Sequence, residues 1–97
     1  MRNNDRRNLP PIDVMDGGLV MLHKVLSRDD RLKATEKNGG KEVSVIPIII
    51  DFGNVTSIQK DYLNNGTVII DQKTACIVAE PLEEVLDAWI EVKKTIS

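Results

Sequence analysis

Apolar residues follow two different rhythms along this chain. Near the C-terminus Leu82, Val85, Trp89, Val92 and Ile96 recur at alternating spacings of three and four, and Leu86 and Ile90 widen the stripe. That period predicts an amphipathic C-terminal helix that starts with Pro81 at its first position, where a missing N–H costs nothing. Upstream, the apolar runs are short and separated by turn residues. Asn38-Gly39 lies between RLKATEK and KEVSVIPIII, and Asn65-Gly66 between SIQKDYL and TVIID. Asn-Gly accepts the positive φ of a tight hairpin turn, so both read as hairpins between strands. Asp51-Phe52-Gly53-Asn54 and Gln72-Lys73-Thr74 mark two further turns. The expected fold is α+β: an antiparallel meander, or partly open barrel, of four to six short strands with one C-terminal helix.

The run LVMLHKVLS, residues 19 to 27, is compatible with two elements. A strand places Leu19, Met21, His23 and Val25 on one side and Val20, Leu22, Lys24 and Leu26 on the other, whereas a helix groups Leu19, Leu22 and Leu26. A short run directly after the Asp16-Gly17-Gly18 turn favours the strand. Pro47 interrupts a strong strand pattern, so residues 43 to 50 form either an edge strand or two strands broken at a bulge. Ile48-Ile49-Ile50 and Val68-Ile69-Ile70 lack alternation. A sheet apolar on both faces needs cover on both, by the C-terminal helix on one side and by another subunit or the N-terminal strand on the other; the apolar excess points to a homo-oligomer, with Ile48, Ile50, Phe52 and Trp89 as candidate interface residues.

Composition narrows the classes. The 97 residues suit one domain with a modest core, and the aromatics are only Phe52, Tyr62 and Trp89, so Val, Ile and Leu build it. Net charge is -2, which provides no general field for nucleic acid or an anionic membrane. The charge is uneven, however. Arg2, Arg6 and Arg7 against Asp5 leave the first nine residues at +2, while the rest carries ten Lys or Arg against fourteen Asp or Glu. Residues 1 to 11, closed by Pro10-Pro11, are therefore expected to be a disordered basic arm, and residues 12 to 97 one α+β domain. The single Cys76 excludes an intrachain disulfide, and neither a signal peptide nor a transmembrane span is evident, so a cytoplasmic location is expected.

Four carboxylates, Glu80, Glu83, Glu84 and Asp87, crowd into eight positions. Glu83, Glu84 and Asp87 sit at the start of the predicted helix, opposite its apolar stripe, where the helix dipole favours negative charge; Lys93 and Lys94 balance them at the far end. Glu80, at the joint before Pro81, is left without such an explanation. His23 is the lone histidine and stands 53 positions from Cys76, so no zinc motif can be written. Cys76 in ACIVA suits a buried, inert thiol better than a nucleophile served by His23. Neither Gly17-Gly18 nor Gly39-Gly40 has the spacing of a phosphate loop or dinucleotide fingerprint. No catalytic residue, metal or cofactor is assigned.

Two resemblances add to this reading. NGGKEVSVIP, residues 38 to 47, and TVIIDQKTACIVAEPLEEV, residues 67 to 85, resemble FlbD-type flagellar and swarming-motility proteins: an Asn-Gly turn, a strand, a Thr-started hairpin, then a helix entry carrying Glu80, Glu83, Glu84 and Val85. Ile46 replaces that family's Asn before Pro47, Gln72-Lys73 replaces its Asn-Gly, and residues 1 to 37 have no counterpart. The resemblance implies strands followed by one helix, without enzyme activity or cofactor. Arg2-Asn-Asn-Asp-Arg6 with Asp13-Val-Met-Asp-Gly-Gly18 is similar to the RxxxR and DxSxxG pair of PilZ domains, with Met15 in place of serine. That similarity implies cyclic di-GMP binding; for a nucleotide or second messenger more generally, the basic arm offers Arg2, Arg6 or Arg7 as the charge, with the pocket between subunits. The leading expectation is a non-catalytic interaction module, an accessory or regulatory subunit of bacterial or phage origin. A small-ligand binder is the alternative and a small hydrolase the third class.

Overall fold

The computed structural model describes residues 11–63 and 65–96, so the arm with Arg2, Arg6 and Arg7 lies outside the described residues. Six strands and two helices follow in the order β1 (Asp13–Val14), β2 (Leu19–Val25), α1 (Arg28–Lys37), β3 (Val45–Asp51), β4 (Val55–Asp61), β5 (Gly66–Asp71), β6 (Ala75–Val78) and α2 (Leu82–Ile96). The fold is α+β, with one antiparallel sheet and a C-terminal helix. Among the described residues no helix is long and apolar enough to cross a membrane.

Residues 19–25 are a strand, and β2 is the hub of the sheet. It pairs with β3 along its whole length, from Leu19↔Asp51 to Val25↔Val45, while β1 and β6 pair with its two ends along the other edge. From β6 the order continues to β5 and β4. Alternation puts Val20 and Leu22, both fully buried, on the face that α2 covers, together with Val78 and Ile69. β4 and β5 pair as the expected hairpin, but not through a two-residue Asn-Gly turn: Asn65 takes the left-handed conformation, at φ 55°, while Gly66 already pairs with Asp61 inside β5. In the β5–β6 turn, the Asp71 carboxylate accepts from the backbone N–H of Lys73 and of Thr74, both at 2.8 Å. That side-chain cap does the work of the absent glycine.

The register shows that the sheet coils. β3 ends level with Leu19, whereas β4 begins level with Asp71, roughly nine residues or about 30 Å away if the strands lay flat. Only Phe52–Asn54, a 3-10 turn, separates the two strands, and four peptide steps reach at most about 14 Å. The sheet therefore curls until its outer strands meet at this turn, without pairing to close a barrel. Phe52 fills the inside of the curl, 1% exposed. The concave side holds the core, built with Val85, Ala88 and Val92 of α2. Leu86 and Ile90, which widen the stripe in the sequence, are 40% and 42% exposed, so the working stripe is narrower.

One expectation is overturned. RLKATEK is not a strand, and Asn38-Gly39 turns no hairpin; both belong to α1 and its C-terminal cap. The Ser27 hydroxyl accepts from the Asp30 N–H at 3.2 Å, Asp29 and Asp30 occupy the first turn and Lys37 the last. At the far end the N–H groups of Asn38 and Gly40 return to Ala34 and Thr35 carbonyls, with Gly39 and Gly40 at φ 70° and 88°. The helix buries no residue, and Leu32 is 62% exposed. It is held by caps rather than by an apolar face, and so leaves no hydrophobic period to read.

Candidate functional site

The unexplained carboxylate finds its partner 57 residues away. Glu80 is 1% exposed, and its Oε1 accepts from the backbone N–H of His23 at 3.0 Å while Oε2 lies 2.7 Å from His23 Nδ1. β6 supplies the reason. The Ala79 N–H donates to the His23 carbonyl at 2.8 Å, which is the last ladder bond, and the Glu80 side chain then takes the place of the next backbone acceptor. The Thr67 hydroxyl, buried on β5, donates to the Glu80 carbonyl at 2.8 Å. Glu80 thus ties β2, β5 and β6 together at the point where α2 begins. That helix starts at Leu82, and the Pro81 carbonyl accepts the N–H groups of Glu84 and Val85, both at 3.1 Å.

The same arrangement places Pro47. Both main-chain groups of His23 point toward β6, so His23↔Pro47 is a non-hydrogen-bonded pair of the β2–β3 ladder. The missing N–H of Pro47 therefore faces the outer edge of β3. Of the two alternatives read from the sequence, an edge strand or two strands broken at a bulge, β3 is the first, continuous over Val45–Asp51.

Chemically, a carboxylate on an imidazole nitrogen orients a general base, as in hydrolase triads. Among the described residues no hydroxyl or thiol is hydrogen-bonded to the other ring nitrogen. Cys76 and His23 are not brought together: Val78 is level with Lys24, so Cys76 lies two residues further along β6. The two side chains also leave opposite faces of the sheet. Burial pushes the Cys76 thiol up from its ordinary value, with Lys24 opposing and Asp71 adding to the effect. Backbone hydrogen bonds from Lys73, then Thr74, hold Asp71 below the usual carboxylate range. No group of three or more potential metal ligands is present among the described residues.

The remaining sequence candidates divide between core and surface. Phe52 is inside the core, and Ile48, Ile50 and Trp89 are half-buried against it. Trp89 carries the Lys93 ammonium 5.0 Å above its ring, and its buried Nε1 has no hydrogen-bond partner among the described residues. Glu83 and Asp87 are exposed on α2, and Glu84 is half-buried. Large apolar side chains stand clear on the outer side of α2, at Leu86 and Ile90, and in a group on the convex face: Leu19 (38%), Met21 (37%), Ile49 (56%) and Ile77 (38%). Met21 and Ile49 are direct cross-strand partners. The alternation of β2 already separates Leu19 and Met21 from the buried set, but their exposure depends on α2 covering one side only. A groove of about 500 Å³ also runs between the first turn of α1 and β6, lined by Lys24, Ser27, Arg31, Cys76 and Ile77 among others.

No protein-family model, curated protein or solved structure matches the chain.

Proposed function

We propose that this domain is a non-catalytic protein-interaction module, an accessory or regulatory subunit whose working surface is the convex face of the sheet. The observation that carries the reading is the clustering of Leu19, Met21, Ile49 and Ile77 on the one side that α2 leaves uncovered. Contiguous exposed apolar surface on a small domain marks an interaction site. The buried Glu80–His23 bridge fits a structural role, since it fastens β6 to β2 beneath that surface. The resemblance of residues 38 to 95 to FlbD-type proteins, which implies no enzyme chemistry, supports the same reading.

The test is affinity capture with the wild-type chain and with Ile49→Lys. One stoichiometric partner held by the wild type and lost by Ile49→Lys, at an unchanged melting temperature, is the expected result. A partner held equally by both would place the interaction elsewhere.

The groove beside α1, where Lys24 and Arg31 outnumber the one carboxylate of Asp30, favours a second reading, a small anionic ligand held by the two cations. Under that reading a nucleotide raises the melting temperature of the wild type but not of the Lys24→Ala, Arg31→Ala double variant.

A further inference from the structure

We infer that the occupant of the convex face is a second copy of this chain, packed sheet to sheet about a two-fold axis; this rests on the interaction-module reading above. The charge pattern is the first argument. Register and alternation put no Lys, Arg or Glu of the strands on this face, its aspartates, Asp13, Asp51 and Asp61, lie at strand ends, and Asp30 and Arg31 of α1 border it only beside Ile77. The one titratable group among its apolar residues, His23, is already bonded to Glu80. A partner recognised by charge would find nothing to bind at the centre, whereas an uncharged apolar surface is complementary to itself. In a two-fold arrangement the same patch serves both subunits.

The edges supply the second argument. Sheets associate either by edge pairing or by face packing; the outer edge of β3 is blunted because Pro47 offers no N–H at an outward-facing position, and the outer edge of β4 by the register irregularity between Val55 and Ser57 and by Lys60. Face packing keeps Pro47 harmless and covers Ile49, two residues further along the same strand.

Area is the third. Strands β3, β2, β6 and β5 hold seven, seven, four and six residues in staggered register, and each residue covers about 3.3 Å by 4.8 Å of sheet. Each copy then offers on the order of 400 Å² in projection, and corrugated side chains bring the pair near the roughly 1,000 Å² at which specific interfaces begin. Curvature keeps the contact at that lower end. The dimer is therefore concentration-dependent rather than permanent.

The experiment is molar mass by sedimentation equilibrium on the full chain across the micromolar range. The wild type is expected to rise from 10.8 kDa toward twice that value. Ile49→Lys and Ile77→Lys should each move the midpoint to at least about tenfold higher concentration, since each buries an unpaired charge. Leu63→Lys, at a 93% exposed site in the β4–β5 turn, should leave it unchanged. Circular dichroism of each variant verifies the fold. A mass of 10.8 kDa at every concentration overturns the second copy, as does a dimer indifferent to both β-strand lysines. A monomer that still captures a partner, and loses it in Ile49→Lys, overturns only the dimer and leaves the interaction module standing.

Discussion

Glu80 receives both the backbone N–H and the ring nitrogen of His23, at 3.0 and 2.7 Å, and so continues by side chain a ladder that β6 can no longer continue by backbone. Removing it orphans a buried N–H and an imidazole. Glu80→Ala is therefore expected to cost about 2–4 kcal/mol in urea unfolding. Glu80→Gln, which retains an acceptor for the N–H, should cost clearly less. Equal losses for the two would mean that the carboxylate oxygen on the ring nitrogen, rather than the acceptor for the N–H or the packing volume, carries the bridge.

Pro47 and Ile48 are neighbours with opposite tolerance. Pro47 stands in a non-hydrogen-bonded pair, and Ile48, opposite Leu22, stands in a hydrogen-bonded one. Pro47→Ala is expected to change stability by less than about 1 kcal/mol, whereas Ile48→Pro removes a β2–β3 bond and should cost about 3 kcal/mol or more. Thermal denaturation of both variants tests the register directly.

Gly66 opens β5 where the backbone of β6 passes close by. A Cβ on Gly66 would collide with the Val78 carbonyl, while one on Gly39, at φ 70°, would meet nothing. Gly66→Ala is expected to be the more damaging of the two, by several kcal/mol if the strands cannot shift; Gly39→Ala should cost about 1 kcal/mol from its backbone conformation alone. Comparable denaturation midpoints would show that β5 and β6 separate easily.

Asp71 sets one limb of the pH dependence. Its carboxyl is held low in the folded chain by the Lys73 and Thr74 N–H groups, so its contribution is present above the ordinary carboxylate range and is lost as pH falls through the depressed folded value. Asp71→Asn should lower stability near neutrality and flatten the acid limb of a melting-temperature profile against pH. A parallel profile offset at every pH would assign the effect to turn geometry instead.

Much of this architecture is local and can be read from local signals. The three-four spacing of Leu82, Val85, Trp89 and Val92 specifies α2, and Asn65-Gly66 specifies the β4–β5 hairpin, because a helix stripe and a left-handed turn residue depend on neighbours a few positions away. The strand over 19–25 follows from its place after Gly17-Gly18. Helix α1 was legible too, through Ser27, Asp29, Asp30, Lys37 and the two glycines that cap it, but those signals are polar, and a search for apolar period passes over them.

Other properties arise only when distant segments meet. Pro47 announces an edge strand, yet which pairing leaves its blank position outward depends on His23 facing β6. Glu80 is an unexplained acid until β6 ends beside β2 and brings His23 to it across 57 residues. The apolar runs of β3 and β5 require cover on two sides, and only the curl of the sheet decides that α2 and Phe52 fill the concave side while Ile49 and Met21 stay outside. The sequence by itself determines the elements, whose energetics are summed over adjacent residues. Which residues become core, bridge or open surface was decided by tertiary structure, because burial and long-range hydrogen bonds depend on the coiled pairing of strands that no short window contains.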